Sequence, residues 1–210
     1  MITRFKELLL QNRSAKQTIA KNIFWLSASQ GSRILRMLIL IYAARVLGTT
    51  EYGLFSYILS LLSILSLFSD IGIGPLLSRE IAGHKDKEIQ NQYFATSFWL
   101  RILCISITSL GIIIIAPHIS KIESAKPLIN IAVFFVIFDN IREIIFAYIR
   151  GLAKMELETL IVTIMNITMA LAGFFVLMWQ PSAKGLLLIY IISSAASLST
   201  GIIIVRKILG

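Results

Sequence analysis

Six stretches of this 210-residue chain are apolar over a length that reaches across a lipid bilayer, and no other feature narrows the possible folds as far. They run over 22–44, 52–74, 93–116, 127–149, 157–179 and 185–205. Each holds about 20 residues or more, which at a rise of about 1.5 Å per residue covers a hydrocarbon core of about 30 Å. Backbone polar groups in lipid must be satisfied within the segment itself, so runs of this kind fold as helices. The expectation is an all-α, polytopic integral membrane protein with six transmembrane helices.

Composition agrees. Mean hydropathy is +0.82, and charged residues make up 15% of the chain, against about 25% in soluble domains. A net charge of +9 raises nucleic acid as a partner. Basic patches interleaved with aromatic residues are missing, as is any nucleic-acid motif, so none is expected. The single cysteine, Cys104, lies within an apolar run and builds no disulfide framework.

Residues 1–21 form a basic segment with Arg4, Lys6, Arg13, Lys16 and Lys21. Ile2, Phe5, Leu8 and Leu9 fall on one helical face, which suits either an interfacial helix or a disordered tail. The apolar run behind it is too long for a cleavable signal. Breakers delimit the spans. Gly72, Gly74 and Pro75 are expected to close the second and Pro117 the third, Pro127 suits the first turn of the fourth, and Pro181 follows the fifth. Residues 22–206 then form one six-helix transmembrane unit, with 207–210 as a cytoplasmic end.

Orientation follows from Lys and Arg. The N-terminal tail, the 75–92 and 150–156 connections and the C-terminal end carry twelve, and the three other connections carry four. Under the positive-inside rule both termini are cytoplasmic.

The remaining four, Arg33, Arg36, Arg101 and Arg142, lie within the runs. A charge at the centre of a membrane helix costs about 2.5–3.5 kcal/mol on insertion scales, and such residues face a bundle interior or a wet cavity. Polar positions recur on one face of every run: Ser29, Arg33 and Arg36; Ser56, Ser60, Ser63 and Asp70; Ser97, Arg101, Thr108 and Gly111; Asp139, Arg142 and Glu143; Thr159, Thr163, Asn166 and Gly173; Tyr190, Ser193, Ser197 and Thr200. One shared interior is the expectation. Small and hydroxyl residues there also serve plain helix packing. Asp139, Arg142 and Glu143 are spaced to neutralise one another, or to titrate as coupling groups. That leaves Arg33, Arg36 and Arg101 in excess, so the interior is cationic and its cargo anionic, since an arginine fork suits phosphate oxygens.

No metal-ligand spacing, nucleophile–base pair or phosphate loop occurs, so neither an enzyme nor a cofactor is expected. His84, His118 and Glu123 are most simply residues of loops and helix ends.

Several segments also resemble one family in sequence order. These are Ala44-Arg45-Val46-Leu47-Gly48 with Glu51-Tyr52-Gly53-Leu54-Phe55, then Asp70-Ile71-Gly72-Ile73-Gly74, and Leu77-Ser78-Arg79-Glu80-Ile81-Ala82 with its charged loop. Leu100-Arg101-Ile102 and Ile149-Arg150-Gly151-Leu152 follow. Together they resemble the polysaccharide and O-antigen flippases of the multidrug/oligosaccharidyl-lipid/polysaccharide exporter superfamily. Arg79 and Glu80 belong to the cytoplasmic-loop part of that pattern.

The resemblance implies a flippase that moves undecaprenyl-pyrophosphate-linked oligosaccharide, an O-antigen or related repeat unit, across the bacterial inner membrane. It implies Arg33, Arg36 and Arg101 as pyrophosphate ligands, and membrane lipids and a lipid-linked oligosaccharide as partners. Members have 12 to 14 spans in two six-helix lobes. Six spans therefore read as the N-terminal lobe, truncated or half-length, to be completed by a second lobe or a homodimer partner. The alternatives are a cation-coupled multidrug exporter lobe and an inactive flippase fragment.

Overall fold

The computed structural model describes residues 15–209, with side chains from residue 17, so most of the basic N-terminal segment and its amphipathic face lie outside the described residues. All of the regular structure described is helical. α1 is Ala15–Ser66, α2 Ile73–Gly83, α3 Lys87–Ile119, α4 Lys126–Gly151, α5 Met155–Trp179 and α6 Ala183–Leu209, with 3₁₀ turns at Leu67–Ser69 and Glu123–Ala125.

α1 is two helices joined at Gly48, whose φ of 70° and ψ of −175° are open to glycine and costly for residues with a Cβ. The arms fold back on each other. The Phe55 ring lies 6.1 Å from that of Tyr190, and the Tyr190 hydroxyl is also within reach of the Arg36 guanidinium. A straight helix would hold residues 36 and 55 about 28 Å apart. Glu51, just past the bend, accepts a hydrogen bond from the Ala183 backbone amide at 2.7 Å and so caps α6.

The first arm runs parallel to α5, and side-chain contacts climb both helices together. Lys21 pairs with Glu156 at 3.1 Å, the Thr159 hydroxyl donates to the Trp25 carbonyl at 2.8 Å, Asn166 donates to Ser32 at 2.8 Å, and Tyr42 lies 5.7 Å from Phe174. From α3 onward, consecutive helices run antiparallel. Arg101 reaches Asn140 while Phe94 meets Tyr148 across α3 and α4, and Arg142 reaches Met165 while Arg150 meets Glu158 across α4 and α5. Across α5 and α6, Gly185 lies against Val176 and Gly201 against Ile161.

Among the described residues, the buried apolar side chains form two clusters. One gathers Ala43, Phe55, Ile58, Leu62, Ile129, Met169 and Leu186 among others, and the second gathers Leu77, Ile81, Ile144, Ile149, Ile161 and Leu198. Between them the sequence turns polar at matching heights. Asp139, Asn140 and Arg142 stand between Val136 and Ile144 on α4, Asn166 between Ile161 and Met169 on α5, and Ser193, Ser194 and Ser197 between Ile191 and Leu198 on α6.

Among the described residues, four helices are long and apolar enough to cross a membrane: the first, taken as Gln17–Ser69 through its bend, then Lys87–Ile119, Met155–Trp179 and Ala183–Leu209. The difference from six runs has local causes. The first of the four contains two of the runs, one on each side of the Gly48 bend, and α4, with 26 residues, carries three charges between positions 139 and 143.

Boundaries shift where backbone chemistry overrides hydropathy. The second run leaves the helix after Ser66, because Asp70 is non-helical (φ −112°, ψ 86°) and Gly72 is left-handed (φ 75°) at the N-cap of α2. Much of the connection expected at 75–92 is therefore helix, with Pro75 in the first turn of α2, where a missing N–H costs little. Pro117 does not stop α3 at the expected place. It lies in the last turn, and the helix closes at Ser120, whose amide bonds the Ala116 carbonyl at 3.0 Å. Residues 15–21 continue into the first helix instead of standing apart, and α6 extends through Leu209.

Candidate anion-binding cavity

α4 brings its charges to the polar layer by plain periodicity: Arg142 and Glu143 follow Asp139 by three and four residues, Phe146 follows them by four and three, and Arg150 follows Phe146 by four, so all share one face. That face looks onto a cavity of about 260 Å³. The first arm of α1 adds Arg33 and Arg36, α5 adds Glu158, Met165 and Asn166, and α6 adds Tyr190.

Two of the four arginines are engaged. Arg142 pairs with Asp139 one turn earlier and donates to the Ser197 hydroxyl at 3.3 Å. Arg150 lays one edge on Glu158, Nε to Oε2 at 2.8 Å and Nη2 to Oε1 at 2.5 Å. This two-point contact is the stronger class of carboxylate recognition. Both guanidiniums lie over the Phe146 ring, at 5.5 and 5.6 Å from its centroid. Arg33 is exposed and Arg36 half-buried, and among the described residues neither has a carboxylate within ion-pair distance.

With all seven groups ionised, four arginines face three carboxylates and one net positive charge remains. The unmatched charge sits on α1, where an incoming anion would meet two guanidiniums with no resident carboxylate to displace.

Arg101 is placed elsewhere. Its side chain is 3% exposed, Nη1 donates to Asp70 at 2.6 Å and Nη2 to Asn140 at 3.0 Å. Asn140 in turn donates to the Val136 carbonyl at 2.8 Å, which fixes its amide. Asp70 is free for this because the chain leaves the helix there. Arg101 thus joins the end of α1 to α4 and lines a second cavity with Asp70 and Ser78. The three arginines grouped by the sequence are brought to two places, Arg33 and Arg36 together and Arg101 apart.

The single shared interior is also narrower than expected. The stripes of the first arm, α4, α5 and α6 converge, but Ser60 and Ser63 on the second arm are exposed while Phe55, Ile58 and Leu62 are buried. Ser63 bonds the Leu59 carbonyl of its own helix at 2.8 Å, so its hydroxyl needs no interior partner. Arg79 and Glu80 lie on α2 and bond each other at 3.1 Å on the surface. His84 bonds the Glu80 carbonyl at 2.9 Å and lies beside Tyr93. The role of Glu158 is missed by period reading alone, since it sits at the mouth of an apolar run. Its spacing of eight from Arg150 across a short turn is the available signal.

A family model described as "Polysaccharide biosynthesis protein" matches residues 19–210, nearly the whole chain. No curated protein and no solved structure matches it. The chain belongs to the polysaccharide biosynthesis protein family, whose members are typically flippase-type membrane transporters and not enzymes.

Proposed function

We propose that the chain forms one six-span lobe of a flippase that carries undecaprenyl-pyrophosphate-linked oligosaccharide from the cytoplasmic to the periplasmic leaflet of the inner membrane. Arg33 and Arg36 bind the pyrophosphate, and both termini are cytoplasmic. The observation that carries this reading is the pair of guanidiniums lacking carboxylate partners beside ion pairs that are already closed. It supports an anionic cargo. Asp139 is held by Arg142 and Glu158 by Arg150, which argues against a cationic drug. Family membership supports a lipid-linked saccharide as the class of substrate.

The packing supports six spans. The first arm and α5 run parallel, as first and fifth spans must, and α4 turns its three charges toward the cavity, so its outward face remains apolar. Arg101, held by Asp70 and Asn140, is assigned to the scaffold of the lobe.

The test is Arg33→Ala/Arg36→Ala in a flippase-deficient strain, with lipid-linked repeat units followed on each leaflet. Two charge-assisted bonds of about 1.5–3 kcal/mol each imply a loss of at least about 100-fold in headgroup affinity. Repeat units should accumulate on the cytoplasmic side. A folded double variant that transports at the parental rate overturns the assignment.

A further inference from the structure

The cavity of Arg33 and Arg36 and the second cavity, about 250 Å³ beside Asp70, Ser78 and Arg101, share two lining residues, Glu143 and Arg150. Arg150 therefore stands at the junction of two polar spaces. Its guanidinium has two edges able to take a bidentate oxyanion. Glu158, 8% exposed, holds the Nε/Nη2 edge, and the whole Arg150 side chain remains 41% exposed. On the other edge the nearest carboxylate is Glu143, with Nη1 to Oε2 at 3.8 Å, too long for a hydrogen bond, and the Glu143 side chain is 42% exposed.

We propose that the open edge of Arg150 is a phosphate receptor at this junction, with Glu143 as a loose occupant that an entering phosphate displaces and Glu158 as the residue that sets the orientation of the fork. Phosphate suits this edge better than the present neighbour does. It offers two oxygens at the spacing of the fork and more charge than one distant carboxylate. The Phe146 ring beneath the guanidinium limits its tilt. The headgroup then passes from Arg150 to Arg33 and Arg36 within one cavity. This rests on the anionic cargo proposed above and adds a site at which it is received.

The probe is inorganic pyrophosphate titrated calorimetrically against the detergent-purified chain. Arg150→Lys keeps the charge but not the fork, and binding is expected to weaken about tenfold. Glu143→Gln removes the occupant, and binding should tighten several-fold. Asp139→Asn makes the same change of charge elsewhere in the cavity and is the control for general electrostatics. Unchanged affinity in both Arg150→Lys and Glu143→Gln, with binding lost in Arg33→Ala/Arg36→Ala, overturns the receptor and leaves the proposed function standing. Equal tightening by Asp139→Asn and Glu143→Gln also overturns it. Binding that survives Arg33→Ala/Arg36→Ala and is lost in Arg150→Lys upholds the receptor and sinks the proposed role of the α1 pair.

Discussion

At the scale of single residues, four arginines at membrane depth follow two physical rules. Arg101 and Arg142 are buried, and each has an acidic partner together with a polar side chain, as removal from water demands. Arg33 and Arg36 have no such partner and face the cavity. The two classes predict different phenotypes. Arg101→Ala should lower stability, near the low end of the ~3–5 kcal/mol for breaking a buried pair because Asp70 is half exposed. Denaturation of the purified protein in detergent reads this out. A stable Arg101→Ala protein with abolished pyrophosphate binding would return Arg101 to the cargo. Hydropathy and periodicity announce all four charges, but only the location of Asp70 and Asn140 separates Arg101 from the cavity pair.

At the scale of elements, the fold depends on a few backbone positions. Gly48 lets α1 double back, and at its φ of 70° and ψ of −175° a Cβ is strained even though nothing lies within 4 Å of it. Gly48→Ala should cost about 1–3 kcal/mol. Gly151 is limited by space: a Cβ there would lie 2.6 Å from Ile81 Cβ and 2.9 Å from the Ser78 carbonyl, so Gly151→Ala must push α2 off the end of α4, at about 1–3 kcal/mol. Gly53, helical with nothing within 4 Å, is the control, and Gly53→Ala should be neutral or stabilising by up to about 1 kcal/mol. Thermal unfolding of the three variants compares them directly, and an equal loss in all three would contradict the distinction. Apolar length marks the helices well and their ends poorly. At Asp70 and Gly72 the chain breaks inside a hydrophobic run, and at Pro117 the helix runs on past the proline to Ile119.

At the scale of the whole molecule, lipid gives helices no hydrophobic reason to associate, since its tails are as apolar as leucine. Packing and polar contacts must hold the bundle together. The ladder from Lys21–Glu156 to Asn166–Ser32 and the polar layer between the two apolar clusters supply such contacts. The proposed topology is testable in a Cys104→Ala background. Lys184→Cys, in the first turn of α6, should react with an impermeant maleimide added outside intact cells, and Lys154→Cys, between α4 and α5, only after permeabilisation. The reverse pattern would invert the proposed topology and the proposed direction of transport.

The sequence by itself determined the solvent, the helical class and the presence of buried positive charge, because each depends on properties that accumulate along the chain: apolar length, backbone self-satisfaction and the cost of charge in lipid. Tertiary structure decided which charges meet. Arg150 and Glu158 join across a turn, Arg101 and Asp70 across 31 positions, and Ser32 and Asn166 across 134. Periodicity assigns a residue to a face of its own helix, whereas the partner of that face is set by how the helices cross. For that reason Arg33 and Arg36 are without carboxylates and Arg101 is not.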